Sequence, residues 1–128
     1  MTNKVPKTYL KDVPTGRAIA IRQPYIESIL LGKKKYEYRS RPTKIRGRVF
    51  LYASKGKTPQ DRWDALKLEM GSLPTGVIVG SVEIVDCDYD DSTGYYRYKL
   101  VKPKRYRQHI EPDMQAQPCF FFPFGRQD

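Results

Sequence analysis

Ala18-Ile19-Ala20-Ile21 is a short apolar run rich in isoleucine, which predicts a strand. Gln23-Pro24 ends it, and Pro24 suits a first helical turn because it has no N–H to leave unpaired. Ile26, Ile29 and Leu30 then recur at helical spacing, with Gly32 where a C-terminal stop belongs. Tyr36 to Arg41 reads as extended. Gly47 restarts the chain into Val49-Phe50-Leu51-Tyr52-Ala53-Ser54, a central strand closed by Lys55-Gly56-Lys57. Thr58-Pro59 reads as an N-cap followed by proline, and Trp63, Leu66, Lys67 and Met70 predict a second helix reaching Gly71. Gly76 to Cys87 is a long strand, with Gly80 as a bulge or bend. Asp86 to Gly94 reads as an acidic loop, Tyr95 to Val101 as a strand, the Pro-containing basic stretch after it as a loop, and Cys119 to Phe122 as a last strand.

Residues 1–16, polar and punctuated by Pro6, Pro14 and Gly16, read as an N-terminal arm, leaving 17–128 as one domain. About six short strands with two inserted helices define an α+β chain whose mixed sheet curls into a small barrel.

Charge changes this picture by pointing to a partner. The net charge is +10, unevenly placed: residues 1–57 hold 15 Lys and Arg against 3 Asp and Glu, residues 58–94 hold 2 against 8, and residues 95–128 hold 7 against 3. Cationic ends around an acidic middle predict one basic and one acidic face, an arrangement that suits a polyanion whose counterions Lys and Arg displace. The bland alternative is a solvated surface, or an acidic segment that meets a basic protein. No apolar run approaches a membrane span, and the N-terminus lacks the apolar core of a signal peptide, so the cytosol is the expected compartment. Cys87 and Cys119 form no CxxC pair and have only His109 to help them, so buried thiols are expected rather than zinc ligands. Asp86, Asp88, Asp90 and Asp91 lack the glycine and glutamate of a calcium loop.

The stretch GKKKYEYRSRP, from Gly32 to Pro42, carries the candidate chemistry. In an extended chain Glu37, Arg39 and Arg41 share one face and Tyr36 and Tyr38 the other, the tyrosines being the set expected to face the core. Glu37 then sits among cations. Either it forms a cross-strand ion pair with Arg39 or Arg48, which contributes little, or it is a pocket carboxylate that accepts hydrogen bonds from the exocyclic amine of cytosine or adenine. Lys34 and Glu37, three apart, converge only if Lys34 lies in the turn after Gly32 and the strand begins near Tyr36. Arg22, Gln23 and Tyr25 end the first strand and can line the same cleft, as can Tyr52, Ser54 and Lys55 at the end of the central strand. Lys102, Lys104, Arg105 and Arg107 interleaved with Tyr106 read as a phosphate-tracking loop with a stacking aromatic, or as a solvated loop.

Three stretches in order, AIAIRQPYIESILLGKKKYEYRSRP, RGRVFLYASK and GVIVGSVEIVDC, resemble the ASCH domain family of the PUA-like superfamily. Its marker G-x-K-x-x-E-x-R is matched at Gly32, Lys34, Glu37 and Arg39, and its glycine-containing strand at Gly76, Ile78, Gly80 and Val82. The resemblance spans roughly Ala18 to Cys87. It implies a β-barrel with a cleft where the marker residues meet, and binding of nucleic acid, RNA rather than DNA, in a basic cleft that takes a single-stranded, flipped or modified nucleotide. Some small bacterial members hydrolyse N4-acetylcytidine with the marker lysine, a threonine three positions on and a downstream glutamate, and another is a metal-dependent ribonuclease. The lysine corresponds to Lys34, but Glu37 stands at the threonine position, and Glu69 is the one glutamate on the second expected helix. Under the hydrolase alternative Lys34 and Glu37 are the catalytic pair, with a divalent metal for a nuclease. No other cofactor and no membrane partner are implied, and the oligomeric state is left open.

Overall fold

The computed structural model describes residues 7–126; residues 1–6 of the expected arm lie outside it. Three six-residue helices, α1 (Lys7–Asp12), α2 (Tyr25–Leu30) and α3 (Gln60–Ala65), accompany six strands: β1 (Ala18–Arg22), β2 (Tyr36–Arg39), β3 (Gly47–Ser54), β4 (Val77–Asp90), β5 (Tyr95–Ile110) and β6 (Phe120–Phe121). They form one sheet in the order β2-β5-β4-β3-β1-β6. Only β1 and β3 are parallel, joined through α2 and β2. This is the mixed-sheet α+β barrel that the sequence pattern predicts.

The near-continuous apolar run of β3 reflects burial on both faces. Val49, Leu51 and Ala53 enter one core with Ile19, Ile21, Val82, Ile84, Tyr98 and the α2 residues Ile26 and Ile29. Phe50 and Tyr52 enter a second with Ile78, Tyr106, Ile110 and Phe121, against which Tyr9 and Leu10 of α1 pack. Gly80 marks a register shift between β4 and β5, and a Cβ there would overlap the Lys104 carbonyl. The bulge expected at this glycine is therefore also a place where the neighbouring backbone leaves no room for a side chain.

Three expected elements differ. The second helix ends at Ala65 because Lys67 adopts φ +57 and the N–H groups of Lys67 and Leu68 bond back to Asp64 and Trp63, a glycine-type stop built on lysine. Glu69 consequently lies beyond the helix. Pro59, rather than Thr58, takes the N-cap position, and Thr58 makes no capping bond. The acidic segment is strand as far as Asp90 because it pairs with basic β5: Asp88 faces Arg97 in register and is bonded to it at 2.7 Å, which holds its carboxyl below the usual range. The basic stretch after Val101 is also strand, to Ile110; Lys102 at φ +52 sits at a bulge that accommodates Pro103.

Burial pushes the Tyr106 phenol up to about 12. Burial, reinforced by the neighbouring Cys119 thiol, likewise pushes up that of Tyr98, whose hydroxyl donates to the Arg41 carbonyl at 2.7 Å. Both stay protonated in the folded chain when the unfolded chain ionises them, near pH 10. Stability is then fully present below about pH 10 and lost as pH rises through the higher folded values. Urea unfolding at intervals from about pH 8 to about pH 11.5 should show a plateau and then a fall, with a shallower fall in Tyr98→Phe; an unbroken plateau would contradict it.

Candidate nucleotide site at the barrel seam

β6 pairs with β1 only at Ala18 and Ile19, with one further bond from Ala20 N–H to Cys119. Beyond that point no strand covers the edge of β1. Arg39 bridges the gap: its Nη2 donates to the Ala20 carbonyl at 2.7 Å, joining β2 to β1 through a side chain instead of a backbone ladder. The gap is a pocket of about 640 Å³. Because it opens at a free strand edge, side chains from both faces of the sheet line it. Ile21, Tyr25, Glu37 and Arg39 come from one side, and Arg22, Tyr52 and Ser54 from the other, with Lys55 and Gly56 following β3.

Gly32 at φ +77 turns the chain out of α2, and the N–H groups of Lys33 and Lys34 bond to the Ser28 carbonyl. Lys34 thus sits in the turn and the strand begins at Tyr36, which brings Lys34 and Glu37 together. Lys34 Nζ lies 3.6 Å from Glu37 Oε1 and over the rings of Tyr25, at 5.6 Å, and Tyr38, at 5.3 Å. Arg39 holds the other oxygen, Oε2, from Nε at 2.9 Å and Nη2 at 2.7 Å. Glu37 is 7% exposed. Its Oε1 makes only the long contact to Lys34, which leaves acceptor capacity on a residue that lines the pocket.

The tyrosines do not form the core-facing set of β2. Glu37 is buried and Tyr38 is 40% exposed, because Arg39 draws the charged face inward to close the seam. Of the two partners expected for Glu37, Arg39 is the one used; Arg48 instead bonds Ser81 and the Lys102 carbonyl.

Other expected site residues lie elsewhere. Gln23 is buried and committed, its amide donating to Pro74 and accepting from the Glu27 N–H. Arg41 is exposed outside the pocket lining. Tyr106 is not a stacking platform, since it is buried and its ring stacks on Tyr9 at 4.0 Å. Lys104 pairs with Asp12, and Arg105 with Glu27 through two bonds, both from the surface of β5; Arg107 is exposed there without a carboxylate partner among the described residues. The segment from Gln115 to Cys119, expected only to lead into the closing strand, forms the opposite wall. Its one signal is a Gln-Ala-Gln-Pro run just before the final aromatic cluster. Cys87 and Cys119 are free and half-buried rather than fully buried.

Glu37 is the one carboxylate along the pocket, and among the described residues no group of three or more His, Cys, Asp or Glu is placed to hold a metal ion. No helix among them is long and apolar enough to cross a membrane.

A small mixed barrel with a polar cleft at its open seam defines a PUA-like domain. The ASCH domain profile matches residues 19–117, and the chain belongs to the ASCH domain family, one associated with nucleic-acid binding. A solved structure of a serine-to-alanine mutant of ZmASCH from Zymomonas mobilis shares the fold, with a TM-score of 0.57 and 13% identity over 82% of this chain and 85% of that one. No curated protein matches the sequence.

Proposed function

We propose that the seam pocket binds one nucleotide of a single-stranded RNA, with affinity supplied by the cations around it and base preference by Glu37. The observation that carries this reading is the Glu37 carboxylate in the pocket lining, fixed by Arg39 on one oxygen and held on the other only by the long Lys34 contact. Such an oxygen accepts from the N4 amine of cytosine or the N6 amine of adenine and repels the carbonyl of uracil. The Tyr25 ring offers a stacking wall, and a cavity of about 640 Å³ is ample for a nucleotide. Arg22 and Lys55 at the rim meet phosphates, while the Ser54 hydroxyl and Gln117 amide on the facing wall can meet a ribose 2′-OH, which favours RNA over DNA.

Labelled single-stranded RNA should bind more tightly than the matching DNA and far more tightly than duplex. With about four phosphates contacted and a slope of about −0.7 for each, affinity should fall about 50-fold between about 50 and about 200 mM salt. Fluorescence anisotropy measures this; no binding at low salt, or binding indifferent to salt, would sink the proposal. The hydrolase reading draws on the closeness of Lys34 to Glu37, 3.6 Å apart, although Glu37 lines the seam pocket and Lys34 lines the neighbouring cavity. Incubating the RNA, and separately N4-acetylcytidine, with and without a divalent metal supports it if products form and are lost in Lys34→Ala.

A further inference from the structure

A second cavity, of about 390 Å³, lies at the opposite end of α2 from Tyr25. Ile29, Val82, Leu100 and Pro103 give it an apolar floor, and four lysines, Lys34, Lys35, Lys99 and Lys102, stand around it. Among the described residues only Lys34 has a carboxylate partner, and that partner is Glu37 of the first pocket. Asp86 is in register with Lys99 but forms no ion pair with it, its carboxylate accepting instead from the Cys87 N–H at 2.8 Å. Lys102 is held at φ +52, a left-handed conformation that costs glycine little and lysine more, by a bulge whose carbonyl accepts from Arg48 Nη2 at 2.8 Å. The bulge that accommodates Pro103 thus sets Lys102, without an ion-pair partner among the described residues, on the rim of an apolar cavity.

We infer that this cavity is a second nucleotide subsite, taking the residue adjacent to the one in the seam, with its base or ribose on the apolar floor and its phosphate among Lys35, Lys99 and Lys102. The inference rests on the RNA-binding reading of the seam. Lys34 connects the two sites: it lines the second, and its ammonium contacts Glu37 and lies over Tyr25, which line the first. A strand leaving the seam over Lys34 therefore enters a cavity that offers what a single-stranded polyanion needs, cations for the backbone and an apolar surface for the base. An anionic lipid would find cations and an apolar floor here too, but the continuity through Lys34 favours the nucleic acid.

The test compares CMP, which fills the seam alone, with the 5′-phosphorylated dinucleotide pCpC, which reaches both sites. The parent protein should bind pCpC on the order of tenfold or more tighter than CMP, and Lys99→Ala and Lys102→Gly should each remove most of that gain without changing CMP affinity. Backbone amides of Val82 and Val101 should shift in NMR spectra with pCpC and not with CMP. Lys102→Gly should melt no lower than the parent, since glycine suits the left-handed φ, so a weakened pCpC interaction cannot be ascribed to misfolding. Unchanged pCpC affinity in both variants, with CMP still bound, would overturn the subsite and leave the seam reading standing. Failure of the parent to bind either ligand would overturn both. Phosphatidylglycerol vesicles that need Lys99 and Lys102 while pCpC does not would overturn the subsite in favour of a membrane.

Discussion

Arg39→Ala is expected to lower the unfolding free energy by about 3 kcal/mol and to abolish nucleotide binding in the seam. The guanidinium does two things that no other group here does together. It closes the barrel by donating to the Ala20 carbonyl, and it neutralises Glu37, whose side chain is only 10% exposed. Removing it leaves an enclosed carboxylate with only the longer Lys34 contact and a backbone acceptor without its donor. Arg39 is itself 25% exposed, so solvent screens part of the loss and keeps it at the low end of the range for broken buried pairs. Arg39→Lys should recover only part of it, because one ammonium lacks the planar fork that reaches both partners. Urea midpoints measure the effect; a loss under about 0.5 kcal/mol would mean that the seam is held by backbone and packing alone.

Glu37→Gln should change selectivity more than affinity. The substitution keeps the volume of the side chain, removes the negative charge, and offers a donor as well as an acceptor to the base. Discrimination of CMP from UMP should fall by about 10- to 100-fold, the worth of one well-placed base contact. Attraction for phosphate should rise, because Lys34 and Arg39 would no longer be neutralised. Glu37→Ala should lose the same selectivity and also stability, since both cations would lose their carboxylate. Competition between the two nucleotides measures the ratio; an unchanged ratio in Glu37→Gln would show that Glu37 is a structural ion-pair partner and reads no base.

Much of this was legible in the residues because local rules and tertiary structure agree. The Val49–Ala53 run is apolar throughout, and β3 is buried on both faces. Gly32 stands where a left-handed turn must occur, which places Lys34 beside Glu37. What was not legible depends on long-range closure. Alternation placed Glu37 and Arg39 on one face of β2, but only the unpaired edge of β1, far away in sequence, determines that this face turns inward. Lysines at positive φ conceal two features that glycine would have announced, the end of α3 at Lys67 and the bulge at Lys102. Tyr106, in a basic segment that reads as a loop, is buried because α1 packs Tyr9 against it.

The most direct test is a crystal structure of the protein with pCpC. Density for a cytosine beside Tyr25, with its N4 amine within hydrogen-bond distance of Glu37 Oε1, is the predicted result. A dinucleotide bound elsewhere on the surface, with the seam between β1 and β2 free of ligand, would contradict it.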